Sequence, residues 1–232
     1  MFRSIVGFVI LILFVLVACT FANGDEANIK DKPYGENPLS AFGGIYKNNP
    51  DGTIGQWVGS GFVAVDKKTV FTCAHVALEN VMQFKPYNSE YFYNIDLQYF
   101  VDGKDVAVFK RRGGEFPFRV VGLGDYYRCR PGDSIIYVGL ENGVDIKAFP
   151  GVIWGVGEYE NKGEIVRYLE FTAKAKLGYS GGPVFDKNYN VIGMIAQVFD
   201  LVPLRGEKKY RICRAVSIED LKTVEEKMQK KR

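Results

Sequence analysis

Histidine is almost missing from this chain: His75 is the only one in 232 residues. That scarcity disfavours a zinc centre. The four cysteines, at positions 19, 73, 129 and 213, form no Cys-x-x-Cys pair to compensate. A strong charge of either sign is also lacking. The formal net charge is +3, and it falls to +2 if a leader carrying Arg3 is removed, too mild and too evenly spread to imply a nucleic-acid partner. Internal repeats and low-complexity tracts are absent, which excludes a repeat array. What is present is apolar: 47% hydrophobic and 14% aromatic residues can bury a core in one domain or two small lobes.

The first segment, MFRSIVGFVILILFVLVACTFANGDE, has a basic start, an apolar stretch from Ile5 to Ala18 and then small, polar residues. It reads as an export signal. As a helix the apolar stretch reaches about 21 Å, short of a hydrocarbon core of roughly 30 Å, which favours cleavage over spanning. Two processing routes compete. Leu16-Val17-Ala18-Cys19 reads as a bacterial lipobox, with cleavage before a lipidated Cys19, and Thr20-Phe21-Ala22 reads as a signal-peptidase site with cleavage after Ala22. An uncleaved anchor through Ala22 is the third reading. All three place the rest of the chain outside the cytoplasm, either periplasmic, at the cell surface as a lipoprotein, or secreted. Contact with a membrane is expected only through the lipid or the N-terminal segment.

Residues 23–40 are polar, carry two prolines and read as a tether. From about Ala41 to Val216 short runs of Val, Ile, Phe and Tyr alternate with Gly, Asn, Asp and Pro, as in GQWVGSGFVAV, KTVFTCAHVA, DVAVFKR, FRVVGLG, DSIIYVGL and NVIGMIAQVF. Many short strands without alternating helices predict an all-β sandwich or barrel. The RRGG at 111–114 is the expected crossing between two lobes, about 41–112 and 117–216. The end differs: Ile218, Leu221, Val224 and Met228 recur at helical spacing, and Ser217 with Asp220 gives a capping-box-like start. A C-terminal helix is predicted over 217–232.

Three residues carry chemistry together. His75 ends an apolar run in VFTCAHVA; Asp105 precedes the alternating strand DVAVF thirty residues on; Ser180 follows in LGYSGGPVF. The chain order His, Asp, Ser is that of chymotrypsin-type proteases. A serine nucleophile needs an imidazole to take its proton and a carboxylate to fix the ring's tautomer and steady its charge. The backbone N–H groups of Gly178 and Ser180 are candidates for the oxyanion hole, with Gly178 free to adopt unusual backbone angles and Gly181 and Gly182 keeping bulk away. Asp96 and Asp102 are rivals for the carboxylate, but neither heads the DVAVF pattern.

GSGFVAV…VFTCAHV, KDVAVFK, VVGLGDYYRCRPGDSIIYVGLENGV…GVIWGVG and GYSGGPVFDKNYNVIGMIAQ together resemble, block by block, the protease domain of the HtrA (DegP-like) trypsin-fold serine proteases, over about residues 41–225. The resemblance implies an all-β fold of two six-stranded antiparallel barrels, a chymotrypsin/trypsin-like double β-barrel, with a C-terminal α-helix and the site between the barrels. It implies His75 as general base, Asp105 as its orienter and Ser180 as nucleophile of an exported serine endopeptidase that forms an acyl-enzyme on protein or peptide substrates, with no metal or organic cofactor. Two departures qualify it. Tyr179 stands where HtrA proteases have Asn and zymogen-activated trypsins have Asp, so no salt bridge to a new amino terminus forms there. Only 52 residues follow Ser180, too few for the PDZ domains of the family.

In this fold the primary pocket is expected between Lys174 to Leu177 and Ile195 to Val198, including Ala196 and Gln197. Ile195, Ala196 and Val198 suit a modest apolar side chain; Lys174 turned inward favours an acidic one, though a solvated Lys174 is preferred. Cys73 is expected as a buried thiol, while a Cys129–Cys213 bridge lacks support from spacing. The alternative to an enzyme is a catalytically weak or inactive protease-fold peptide binder at the cell surface. Acyl transfer to small esters is a third, weaker reading, since the same machinery serves it.

Overall fold

The computed structural model describes residues 38–143, 145–201 and 210–230. The leader, Cys19, both cleavage sites and most of the tether lie outside the described residues. Within the tether's last residues, Leu39 is fully buried in a 3-10 turn over Pro38–Ala41, so the packed fold begins slightly before Ala41. A single leucine in a polar stretch offers no periodicity from which to foresee this.

Among the described residues, twelve strands form two closed six-stranded barrels. The first contains β1 (Phe42–Asn48), β2 (Ile54–Val63), β3 (Thr69–Thr72), β4 (Val81–Pro86), β5 (Tyr93–Val101) and β6 (Val106–Arg111). The second contains β7 (Ser134–Glu141), β8 (Asp145–Asn161), β9 (Glu164–Thr172), β10 (Pro183–Phe185), β11 (Val191–Leu201) and β12 (Tyr210–Ser217). All ladders are antiparallel, and the neighbour order β1-β2-β3-β6-β5-β4 recurs as β7-β8-β9-β12-β11-β10. The chain therefore repeats one topology without repeating sequence. Closing each sheet on itself leaves no unpaired edge, the liability of an open antiparallel sheet.

Inward-facing aromatics fill the first barrel: Phe42, Phe62, Phe71, Phe84 and Phe109 are all buried, with Phe62 and Phe71 stacked at 5.9 Å between centroids. Full burial of each such side chain is worth roughly 1.5–3 kcal/mol. The same cluster continues through Val138, Phe185 and Met194 of the second barrel, so the seam between the barrels is packed. Strands β1, β4 and β5 are missing from the strand set read from sequence: β1 carries two glycines, and Gln83, Lys85, Asn94 and Asp96 leave β4 and β5 without a continuous apolar run. FRVVGLG, expected as a strand, forms only isolated bridges, Val121 to Ala64 of the first barrel and Leu123 to Val191 of the second. The crossing that begins at RRGG is thereby fastened to both barrels. Gly122 has little room for a side chain, since a Cβ would lie 2.4 Å from Asn190 Oδ1.

The chain then enters α1 (Ile218–Lys230), whose buried face is Ile218, Leu221, Val224 and Met228. The Ser217 hydroxyl accepts the Asp220 N–H at 3.2 Å, the N-terminal half of a capping box. The Asp220 carboxylate turns elsewhere: it is fully buried, 2.6 Å from Lys104 Nζ and 3.1 Å from an Arg167 nitrogen, and accepts the Arg167 backbone N–H. Lys104 closes the 3-10 turn Asp102–Lys104 just before Asp105. The helix thus docks under the loop that carries Asp105.

Cys73, Cys129 and Cys213 are free thiols and buried. Burial raises the Cys129 thiol to about 11 and the Cys213 thiol to about 12. No Cys129–Cys213 bridge is formed.

Candidate active site

β3 is buried along its length and delivers Cys73 and then a single 3-10 turn, Ala74–Val76, at the barrel mouth. His75 sits on that turn. Its Nδ1 faces both carboxylate oxygens of Asp105, at 2.9 and 3.0 Å, and its backbone N–H donates to Asp105 Oδ1 at 3.1 Å. Asp105 holds this position in the left-handed region, φ 53° and ψ 42°, where Asp is among the more tolerated residues. The Asp105 hydrogen bond raises the His75 pKa above its ordinary value; burial opposes the rise and the carboxylate charge adds to it. Asp96 and Asp102 are occupied elsewhere, with Arg112 and Lys162 respectively.

Ser180 approaches from the second barrel. Its carbonyl accepts the Ser60 N–H at 2.9 Å. A Cβ built on Gly59 would stand 3.3 Å from that carbonyl oxygen and 2.8 Å from a Val76 methyl, so the Ser180 and His75 segments converge on one glycine. The carbonyl of Ile195 ties them again, taking the Cys73 thiol at 3.2 Å and the Gly181 N–H at 2.8 Å. Among the described residues the imidazole hydrogen-bonds only to Asp105, and no bond joins it to the Ser180 hydroxyl.

The segment before Ser180 is a turn closed by the Tyr179 N–H on the Lys176 carbonyl at 3.2 Å, with Gly178 at φ +94°. That is the third position of a type II turn, which favours glycine. Space demands glycine as well: a Cβ there would lie 1.9 Å from the Trp57 ring. The Gly178 carbonyl accepts the Ser60 hydroxyl at 2.7 Å. The N–H groups of Tyr179, Gly181 and Gly182 are bonded within the fold, while those of Gly178 and Ser180 have no partner among the described residues. Open backbone donors at and near the serine are the groups from which an oxyanion site is built.

Tyr179, the departure from the family pattern, is fully buried. Its ring covers Gly139, where a Cβ would come within 2.2 Å of it, and its hydroxyl donates to Glu141 Oε1 at 3.0 Å. Glu141 also pairs with Lys176 at 2.9 Å. One carboxylate therefore grips both ends of the 176–179 turn. The Lys176 bond lowers the Glu141 pKa, with the Tyr179 hydroxyl assisting against a desolvation that opposes it.

Beside Ser180 lies an open cavity of about 330 Å³ walled by Ala175, Leu177, Val198 and Phe199. Its charged lining is Lys176, Asp200 and Arg211. Of the walls expected to shape a pocket, Ala175, Lys176, Leu177 and Val198 line it. Lys174 is exposed with its Nζ 5.9 Å from the Phe149 ring centroid; Ile195 and Ala196 are buried in β11; Gln197 is exposed and pairs in register with Arg214. Phe199, Asp200 and Arg211 were not foreseen. Their signal is weak, for Asp200 and Arg211 become neighbours only through the β11–β12 register. Cys73 Sγ, His75 Nδ1 and an Asp105 oxygen lie within 4.8 Å of one another, a donor set of metal type. Burial, with the Asp105 charge, raises the Cys73 thiol well above its usual range, and Nδ1 is already committed to the carboxylate. The group behaves as an imidazole–carboxylate pair over a neutral thiol.

A family model described as a trypsin-like peptidase domain matches residues 59–194, more than half of the chain. A relative from Synechocystis sp. that carries the name serine protease HhoB is 30% identical over 176 residues, 70% of this chain and 40% of the relative. A DegP-like relative from Pseudomonas putida, named as a periplasmic serine endoprotease, is 30% identical over 95 residues, 41% of this chain and 19% of its own length. The chain thus spans well under half of these curated relatives. Among solved structures, the HtrA-type protease AlgW with a decapeptide superposes with a TM-score of 0.65 at 20% identity, covering 82% of this chain and 64% of AlgW. That likeness establishes the double-barrel fold.

Proposed function

This chain belongs to the trypsin-like peptidase domain family, and from that premise we propose that it is an exported serine endopeptidase working through His75, Asp105 and Ser180. The observation that carries the reading is the pairing of His75 Nδ1 with both Asp105 oxygens on the turn that meets the Ser180 segment at Gly59 and Ile195. With Nδ1 held as a donor, Nε2 is the basic nitrogen, free to take the Ser180 proton as Oγ attacks the scissile carbonyl. The carbonyl oxygen becomes an oxyanion, met by the Gly178 and Ser180 N–H groups. Collapse breaks the C–N bond; His75 returns its proton to the departing amine, leaving an acyl ester on Ser180. Water, deprotonated by His75, then hydrolyses the ester and restores the serine. Hydrogen bonds from base to nucleophile often tighten only with substrate in place, so the unmade Ser180–His75 bond is compatible with this sequence. The N-terminal export signal and the periplasmic naming of the Pseudomonas relative support a location outside the cytoplasm.

The unmade bond also gives the competing reading, a protease-fold peptide binder, its one support. A fluorophosphonate probe separates them. Stoichiometric labelling abolished by Ser180→Ala supports the enzyme, and an unlabelled but folded protein overturns it. Turnover in S180A should fall by roughly 10⁴–10⁶.

A further inference from the structure

We propose that the cavity beside Ser180 selects an acidic side chain on the acyl side of the scissile bond, with Arg211 as the specificity-determining residue. This deepens the proposed function and rests on it. The cation expected at the pocket from sequence, Lys174, stands outside, against Phe149. The structure supplies another. Arg211, on β12, reaches across the cavity and is held at two points: Nε on Asp200 Oδ1 at 3.0 Å and Nη1 on the Ala175 carbonyl at 3.1 Å. Those anchors lie on different walls, one on β11 and one on the segment leading to Ser180. The guanidinium therefore bridges them, oriented by both contacts while its side chain stays 46% exposed. Its Nη2 has no partner among the described residues.

Three substrate classes meet this cavity differently. An aliphatic side chain would strip water from the guanidinium edge and give it no acceptor, a cost that a neighbouring apolar wall of Val198 and Phe199 only partly offsets. A basic side chain would find no open acceptor, for the one lining carboxylate, Asp200, is already engaged by Arg211, and it would face Arg211 with Lys176, itself paired with Glu141, nearby. A carboxylate receives a charge-assisted hydrogen bond from a donor already positioned, so little ordering is needed on binding. A cavity of about 330 Å³ has room for a glutamate side chain.

The test uses intact protein and a series of chromogenic peptides differing only at the acyl-side residue: Glu, Asp, Gln, Val and Lys. The expected result is kcat/KM for Glu exceeding that for Gln and for Val by on the order of tenfold or more. Arg211→Ala should bring the Glu-to-Gln ratio near unity, Arg211→Lys should leave it intermediate, and Asp200→Asn, which frees more of the guanidinium, should raise it. A ratio is insensitive to losses of folded protein, and the wild-type ratio alone decides the matter should the Arg211 variants fail to fold. Preference for Val or Lys in the wild type overturns the inference, as does a Glu preference that survives Arg211→Ala. Fluorophosphonate labelling without Glu preference overturns this inference while leaving the protease reading standing. Where no peptide turns over, fluorescence titration with product peptides ending in Glu or Gln decides instead: Arg211-dependent tighter binding of the Glu peptide supports the inference, and equal binding overturns it.

Discussion

The Tyr179 hydroxyl donates to Glu141 Oε1 at 3.0 Å, from a ring with no solvent exposure. Lys176 Nζ pairs with the same Oε1 at 2.9 Å, so the turn bearing Gly178 is clamped at its first and last residues. The hold on this turn comes from side chains of the chain itself, Tyr179, Glu141 and Lys176. Glu141→Ala should lower kcat about tenfold with KM little changed, short of the 10²–10³ lost with a whole oxyanion donor. Glu141→Gln, which keeps an acceptor for Tyr179, should lose less. Steady-state kinetics on one peptide substrate checks the order; equal, unchanged kcat values would show that the turn needs no clamp.

Proton affinity at His75 predicts the acid limb of activity. The imidazole must be neutral to act as base, and its pKa is raised by the Asp105 hydrogen bond. The rate should therefore climb with pH through a midpoint above the ordinary histidine value of about 6.5. Asp105→Asn should move that midpoint down and cut kcat by about 10⁴. The stability linkage runs the opposite way: because the folded-state pKa is raised, the ion pair's contribution is complete below the unfolded pKa and is lost as pH rises through the folded one. NMR titration of the lone histidine gives the midpoint directly.

Gly178→Ala should separate activity from folding. The new methyl would meet the Trp57 ring at 1.9 Å with φ at +94°, so the turn must rearrange and carry the Gly178 amide away. A fall of about 10²-fold or more in kcat/KM is expected, the scale of one lost oxyanion donor, with thermal unfolding lowered by only a few degrees. Adding Trp57→Ala should recover part of the rate, since it removes the clash but not the backbone strain. Near wild-type kcat/KM in G178A would remove Gly178 from the oxyanion role.

Asp220→Ala should be the more damaging change to the fold. It leaves Lys104, almost fully buried, without its counter-ion and removes the acceptor of the Arg167 N–H. Breaking one side of a buried pair costs about 3–5 kcal/mol, which urea unfolding would read as a lowered midpoint. The double change Lys104→Met with Asp220→Leu should be milder, because the buried ammonium is no longer stranded, although the Arg167 side chain and N–H still lose Asp220. Equal losses in the single and double variants would mean the pair is not the source.

The parts legible in the sequence were those set by local pattern. His75 at the end of VFTCAH, Asp105 before DVAVF and Ser180 within GYSGGP announce themselves by short-range context, as do the four apolar positions of α1. β4 and β5 were hidden because Gln83, Lys85, Asn94 and Asp96 interrupt their apolar runs, although Gln83 itself is buried in the barrel. The charged cavity lining was hidden for another reason: Arg211 and Asp200 are eleven residues apart and meet only through a cross-strand register. Glu141 is further removed, 38 positions from the tyrosine it holds. No spacing rule encodes such pairings, since they exist only once a barrel has closed.

The anchoring of α1 has a consequence for when competence appears. Translation produces His75, Asp105 and Ser180 well before the helix, yet Lys104, beside Asp105, finds its counter-ion only in Asp220. A nascent chain on the ribosome therefore carries the reactive trio without the brace beneath its carboxylate. Under the proposed reading, the power to cut peptide bonds waits until α1 has been made and docked.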